Sequence, residues 1–107
     1  ASTYDCIGFD DYQKLLHDKD INSIYISTPH TSHFEFSYKA LMNGKSVLCE
    51  KPLTMNSSEA MLLFNLAKKK QLLLMEAFMY RCHPITHKLV YLKPYLLCPK
   101  VPCQLHS

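Results

Sequence analysis

The stretch Ser46-Val47-Leu48-Cys49-Glu50-Lys51-Pro52 places a short apolar run directly before an acid, a lysine and a proline. A run of this length and composition is typical of a buried strand. Similar runs lie at residues 23–27 and 72–75, and patterns with helical spacing lie between them at residues 32–43 and 56–70. Strand and helix therefore alternate with short links, which predicts parallel strands joined by right-handed crossovers.

These elements predict an α/β fold with a partial Rossmann-like parallel sheet, the second half of a dinucleotide-binding domain. The near-continuous apolar strands indicate a sheet that is covered on both faces. We expect this domain to span residues 1–92. Residues 93–107 are expected to form an irregular tail, because Pro94, Pro99 and Pro102 exclude a continued helix.

Helix boundaries are predicted from capping residues. Asp10 is expected to cap a short first helix. Ser32 and Asn56 are each followed three residues later by a glutamate, the spacing of a capping box, so helices are expected to begin there. Gly44 is suited to the position just after the end of the second helix.

The composition argues against two classes of protein. The 107 residues carry a formal net charge of +3, and the densest basic run, Lys68-Lys69-Lys70, falls at a predicted helix end, where cations offset the helix dipole. A solvated helix end is therefore expected rather than a nucleic-acid surface. No apolar run approaches the length of a membrane span. The first residues lack a signal sequence and an initiator methionine, which suggests a processed or incomplete chain.

The cysteines indicate a reducing compartment. Their number is five and no two are spaced as CxxC, which argues against a disulfide framework or a thioredoxin-like site. We therefore expect reduced thiols and a cytoplasmic location.

Three polar segments are expected to meet at the carboxyl ends of the strands, where ligands bind to sheets of this kind. They are residues 28–33, 50–52 and 76–84. In the second segment, Lys51 follows a buried strand, and partial burial there would suit it to proton transfer. The alternative is an ordinary surface lysine in a loop.

The other two segments also have two interpretations. Residues 28–33 precede a helix, whose amino terminus can bind a phosphate, although Thr31 or Ser32 could simply cap that helix. In residues 76–84, Arg81 could bind an anion and His83 could move protons, or both could be ordinary surface residues.

Taken together, the three segments resemble the Gfo/Idh/MocA family of oxidoreductases. The resemblance rests on Ile24–Pro29, His33, Ala40-Leu41 and Gly44–Pro52, and Glu76–Pro84 is similar to the subgroup of dihydrodiol and xylose dehydrogenases. It runs from about Phe9 to Pro84. The motifs occur in the order and spacing of the family.

The resemblance implies NAD or NADP as cofactor and hydride transfer at a CH–OH carbon of a sugar or diol. It implies that Lys51 holds the substrate hydroxyl and assists its proton transfer. The residues that would border the cofactor are Thr28, Pro29, His33, Glu50, Lys51, Arg81 and His83. No metal site and no membrane or nucleic-acid partner is implied.

The sequence departs from the family in what surrounds these motifs. The family begins with a strand and a GxGxxG turn, yet Gly8 and Gly44 are the only glycines in this sequence. The second domain of the family, which supplies most of the substrate pocket, has no counterpart here. We therefore expect a truncated form of the enzyme that is inactive alone.

Two alternatives remain open at this stage. The chain could be a non-catalytic protein that forms a homo-oligomer or pairs with a full-length homologue through an exposed strand edge. It could also be a small metal-binding protein, since side chains that suit zinc occur near its end. These are Cys82, His83, His87, Cys98, Cys103 and His106.

Overall fold

A computed structural model describes residues 4–79 and 83–88 of the chain. Its three strands, β1 (Ser23–Ile26), β2 (Ser46–Glu50) and β3 (Leu74–Ala77), form one parallel sheet in the order β1-β2-β3. The α-helices are α1 (Tyr12–His17), α2 (His33–Met42) and α3 (Ser57–Lys70), and a 3₁₀ turn spans His30–Ser32. The predicted alternation of helices and parallel strands is confirmed.

Side chains alternate between the two faces of the sheet. The inward-facing residues form a core with α2 and α3; they are Ile24, Ile26, Val47, Cys49 and Leu74. On the other face, one row across the three strands holds Tyr25, Leu48 and Met75, which are 57%, 38% and 44% exposed.

The prediction of a sheet covered on both faces is therefore wrong for the described residues. Both crossovers run in the same direction along the sheet, from β1 to β2 and from β2 to β3. Right-handed connections that advance in one direction place their helices on the same face. The apolar residues of the opposite face, such as Leu48, gave the strands their continuous apolar appearance.

Capping differs from the expectation at two of the three predicted sites. The first helix is capped by Asp11, whose carboxylate accepts from the backbone N–H of Gln13 at 3.0 Å. Asp10 lies one residue too early and instead forms an exposed ion pair with Lys14 at 2.8 Å. An acidic residue at either position fits the sequence pattern, and the backbone conformation decides between them.

The capping box predicted at Ser32 is also wrong. Ser32 lies in a 3₁₀ turn, and its hydroxyl donates to Thr28 Oγ1 at 2.9 Å and to the Pro29 carbonyl at 2.7 Å. Glu35 pairs with Lys39 at 2.5 Å, one helical turn further on. The side chain that was expected to cap α2 thus closes the preceding loop upon itself.

At the start of α3, by contrast, the prediction is confirmed. The Asn56 side chain accepts from the backbone N–H of Glu59 at 2.9 Å, and the Glu59 carboxylate accepts from the N–H of Met55 at 3.2 Å. The helix ends at Lys70, and Gln71 after it adopts a left-handed conformation with φ of 57°. Because two linking residues follow, the third strand begins at Leu74, and Glu76 lies within it rather than after it.

The amino end of the sheet is fastened by a lysine. Gly44 adopts φ of +76°, as its predicted place after α2 requires, and Lys45 follows with only 6% of its surface exposed. The Lys45 ammonium donates to the carbonyl oxygens of Asp18 at 2.6 Å and Ile21 at 2.5 Å. These bonds tie β2 to the segment between α1 and β1.

The chain divides into two compact units, Ala1–Ala77 and Phe78–Ser107. In the described part of the second unit, residues 84–88 are helical, and the N–H of Ile85 donates to His83 Nδ1 at 3.1 Å. The predicted domain boundary between residues 92 and 93, and the predicted tail, lie outside the described residues. None of the helices in residues 4–79 and 83–88 combines the length and apolar character that crossing a bilayer requires.

Candidate functional site

The carboxyl end of the sheet brings together most of the predicted site residues. Thr28 and Pro29 follow β1, and Glu50 ends β2, directly before Lys51. His33 begins α2 and bonds to both of these segments, as described below. Of the remaining predicted residues, Arg81 lies outside the described part of the chain and His83 belongs to the second unit.

His33 joins the two loops at this edge. Its ring is 1% exposed, with Nδ1 2.7 Å from the Pro52 carbonyl oxygen and Nε2 2.8 Å from the Thr28 carbonyl oxygen. A carbonyl oxygen only accepts, so each ring nitrogen bonds to its carbonyl when that nitrogen carries a proton. His33 therefore acts through backbone groups here, and its contact with a cofactor stays a prediction.

Glu76 holds the same loop from the other side. Its carboxylate accepts from the backbone N–H of Leu53 at 2.6 Å. A hydrogen bond to an ionised acceptor is stronger than one between neutral groups. The Leu53 side chain is 4% exposed and belongs to the core, so this residue is fixed by both its backbone and its side chain.

Tyr25 contacts the acid that precedes Lys51. Its hydroxyl donates to Glu50 Oε1 across the open face of the sheet. This hydrogen bond is the main reason that the pKa of Tyr25 lies above its ordinary value of 10.0. The bond restrains the Glu50 carboxylate at the end of β2.

Lys51 is exposed at the centre of this arrangement. Of the two interpretations of Lys51, partial burial and an ordinary surface position, the exposure of its side chain agrees with the second, whereas Leu53 two residues later is 4% exposed. Within residues 4–79 and 83–88, no group forms a hydrogen bond or ion pair with its ammonium. The Lys51–Pro52 peptide bond is cis. Among the described residues, the loop therefore presents the Lys51 ammonium without a partner, while the groups around it are held by hydrogen bonds.

The cysteines do not add a nucleophile to this site. Cys49 is completely buried, and burial raises the pKa of its thiol, so it stays neutral near pH 7. Cys49 is a free thiol. In the part of the chain that the structure describes, no group of three or more His, Cys, Asp or Glu residues could hold a metal ion. Most of the residues considered for zinc lie outside that part.

Sequence reasoning missed the roles of Tyr25, Lys45 and Glu76. Tyr25 alternates with the buried Ile24 and Ile26, so its place on the opposite face could have been found from the period of two. Its partner could not, because the contact depends on the register between two strands. Lys45 and Glu76 act through backbone atoms of distant residues, which leave no signal in a single sequence.

Comparisons with known proteins agree with this geometry. The profile of the GFO_IDH_MocA family, described as an oxidoreductase family with an NAD-binding Rossmann fold, matches residues 1–78. The D-xylose 1-dehydrogenase (NADP(+)) of Hypocrea jecorina is 38% identical over 86 residues, which are 80% of this chain and 22% of that enzyme. The trans-1,2-dihydrobenzene-1,2-diol dehydrogenase of Xenopus laevis is 42% identical over 78 residues, which are 73% of this chain and 24% of that enzyme.

A solved structure supports the same assignment. The 3-ketoreductase KijD10 from Actinomadura kijaniata, in complex with TDP-benzene and NADP, superposes with a TM-score of 0.74 at 38% identity. The superposition covers 79% of this chain and 27% of that one. The chain therefore spans about a quarter of the length of these relatives. It belongs to the Gfo/Idh/MocA family of NAD(P)-dependent oxidoreductases and corresponds to part of their NAD-binding Rossmann fold.

Proposed function

We propose that the carboxyl edge of this sheet is the proton-transfer part of an NAD(P)-dependent oxidoreductase site that acts on a CH–OH group of a sugar or diol. The observation that carries the proposal is the exposed ammonium of Lys51 on a loop whose neighbouring groups are held by His33, Glu76 and Tyr25. The names of the similar xylose and dihydrodiol dehydrogenases support this substrate class.

A bound NAD or NADP would supply the hydride transfer at the substrate carbon. As the neutral amine, Lys51 would accept the proton of the substrate hydroxyl during oxidation, and as the ammonium it would donate a proton to the substrate oxygen during reduction. Thr28, Pro29 and Glu50 would border the cofactor, because they lie at the same sheet edge. The family resemblance also implies Arg81 and His83 as cofactor neighbours, and this part of the proposal rests on the sequence motif alone.

The residues present fit only one end of such a cofactor. The loop after β1 and the end of β2 offer hydroxyl, carboxylate and backbone groups at the sheet edge where ligands bind in this kind of fold. The pyrophosphate is held in this fold by a glycine-rich turn, and Gly8 and Gly44 are too far apart in the sequence to form a GxGxxG motif. We infer that these 107 residues do not catalyse the reaction by themselves.

Two experiments test this proposal. The 107-residue chain titrated with NADPH should show no fluorescence change that indicates micromolar binding. Micromolar affinity would contradict the inference that the chain is inactive by itself.

In the second experiment, residues 9–84 of this chain replace the matching segment of the Hypocrea jecorina enzyme, to which the chain is 38% identical. The hybrid should reduce NADP⁺ with xylose or a cyclic diol, and a folded, NADPH-binding hybrid with neither activity would contradict the proposed role.

A second candidate function is a non-catalytic chain that pairs with an intact homologue or with itself. The observation in its favour is the open apolar row of Tyr25, Leu48 and Met75. Exposed apolar patches on sheets often mark association surfaces. Co-purification with a full-length relative would support this candidate, and a monomer at high concentration in sedimentation experiments would argue against it. The buried Cys49, which forms no disulfide in the described part of the chain, supports a reducing, cytoplasmic location for either function.

A further inference from the structure

One peptide group next to Lys51 is held at both of its polar ends. The peptide that links Pro52 to Leu53 has its carbonyl oxygen 2.7 Å from His33 Nδ1 and its N–H 2.6 Å from Glu76 Oε2. The polarity is matched when Nδ1 carries a proton, since an N–H then faces the carbonyl oxygen and a carboxylate faces the peptide N–H. Because a peptide group is planar, fixing both ends fixes the orientation of the whole plane.

We propose that Glu76 is a positioning residue of this site, which acts with His33 to clamp the Pro52–Leu53 peptide and so to orient Lys51. This inference rests on the proposed function, because it assigns a purpose to the position of the Lys51 ammonium. Lys51 lies only two residues before Leu53, so its Cα is within about 7 Å of the anchored residue. A rotation of the clamped plane would therefore move the lysine directly.

The surroundings of Glu76 suit this role. It lies in β3, paired in register with Cys49 of the neighbouring strand, so its backbone is fixed by the sheet. Its side chain is half-buried and reaches across to the loop after β2. The Leu53 side chain is in the core, which prevents the peptide from turning away without loss of packing.

Two conservative variants distinguish the length of the side chain at position 76 from its negative charge. Glu76→Gln keeps an oxygen at the same distance from Leu53, whereas Glu76→Asp keeps the charge but withdraws the carboxylate by one methylene. The readout is amide hydrogen exchange of Leu53 in the full 107-residue chain, divided by that of Val47, whose N–H donates to the Leu73 carbonyl at 2.8 Å. Dividing by Val47 removes any change in global stability.

We expect the exchange ratio to rise about tenfold in Glu76→Asp and less than about threefold in Glu76→Gln, because a lost bond to a charged acceptor corresponds to roughly a decade or more. The matched control is Ser46→Ala, which removes the hydroxyl that accepts from the Leu73 N–H at 3.1 Å, at the amino end of the same sheet. It should leave the exchange rate of the Leu53 amide itself unchanged, although the Val47 amide beside the substitution can exchange faster. An unchanged ratio in Glu76→Asp, or equal increases in both Glu76 variants, would overturn the proposal.

The functional arm uses the hybrid enzyme described above. Glu76→Asp should lower kcat about tenfold or more and change KM less than about threefold, since misplacement of a reacting group lowers the rate of the chemical step. Glu76→Gln should retain most of the activity. An inactive unsubstituted hybrid would count against the proposed function alone, because the exchange experiment decides on the clamp without any ligand. A clamp variant with altered KM and unaltered kcat would overturn the positioning role.

Discussion

Lys45 and Lys51 lie at opposite ends of the same strand, and their surroundings differ completely. Lys45 is buried, and its ammonium donates to the carbonyl oxygens of Asp18 and Ile21. Lys51 is exposed, and no group in the described part of the chain bonds to its ammonium. At the amino end, the Lys45 side chain stabilises the fold through its hydrogen bonds. At the carboxyl end, other side chains hold the loop that carries Lys51.

The difference shows how one residue type serves two purposes in one short segment. The amino end of β2 uses a charged side chain to satisfy backbone carbonyls, which stabilises the connection to α1. The carboxyl end reverses this relation, since His33 and Glu76 satisfy the backbone around Lys51 and leave its side chain available. Chemistry is therefore expected only at the second lysine.

The largest expected effect concerns catalysis in the hybrid enzyme. Lys51→Met should lower kcat about 10²- to 10⁴-fold, the range that general acid–base groups contribute. Lys45→Met should lower it less than about tenfold, because Lys45 lies at the end of the sheet remote from the site. Steady-state assays with saturating NADP⁺ measure both. Equal losses of kcat in the two variants would show that Lys51 has no special part in the chemical step.

The next effect concerns stability and has the opposite order. Lys45→Met should lower the free energy of unfolding by about 2 kcal/mol, because it removes charge-assisted bonds to two carbonyls. Lys51→Met should change it by less than about 0.5 kcal/mol, as for other exposed positions without partners. Urea denaturation of the 107-residue chain, followed by circular dichroism, gives both values. A Lys51 variant that is the less stable of the two would show that this lysine also serves the fold.

The smallest effect concerns the acid beside Lys51. Glu50→Gln should lower the pKa of Tyr25 toward its ordinary value of 10.0, because the hydrogen bond to Glu50 is the main cause of the raised value. The raised pKa means that this bond stabilises the fold below pH 10 and that the contribution is lost as the pH rises through the raised value. Titration of the tyrosine Cζ resonances by NMR follows the change.

Tyr12 provides the control in the same titration. Burial raises the pKa of Tyr12 to about 12, and its hydroxyl donates to the Phe36 carbonyl at 2.7 Å. Since Glu50 plays no part in that shift, Glu50→Gln should leave Tyr12 unchanged. A Tyr25 pKa that does not move in the variant would show that the Glu50 carboxylate is not held by this bond.

Much of the fold followed from local patterns. The alternation of apolar runs and helical spacings predicted three parallel strands, and the Asn56–Glu59 spacing and Gly44 marked helix ends correctly. The errors occurred where two local solutions were similar. Asp10 and Asp11 are both suitable caps, and Ser32 had nearby partners that compete with the helix.

The sequence alone determined the family of this chain and the place of its candidate site, because strand periods, helix caps and the motifs around Lys51 are encoded in neighbouring residues. Only the tertiary structure decided which face of the sheet is open, which lysine is buried and which side chains clamp the loop. Those properties depend on pairs of residues far apart in the chain, such as His33 with Pro52 and Glu76 with Leu53. Their partners are set by strand register and helix packing, which no local pattern specifies.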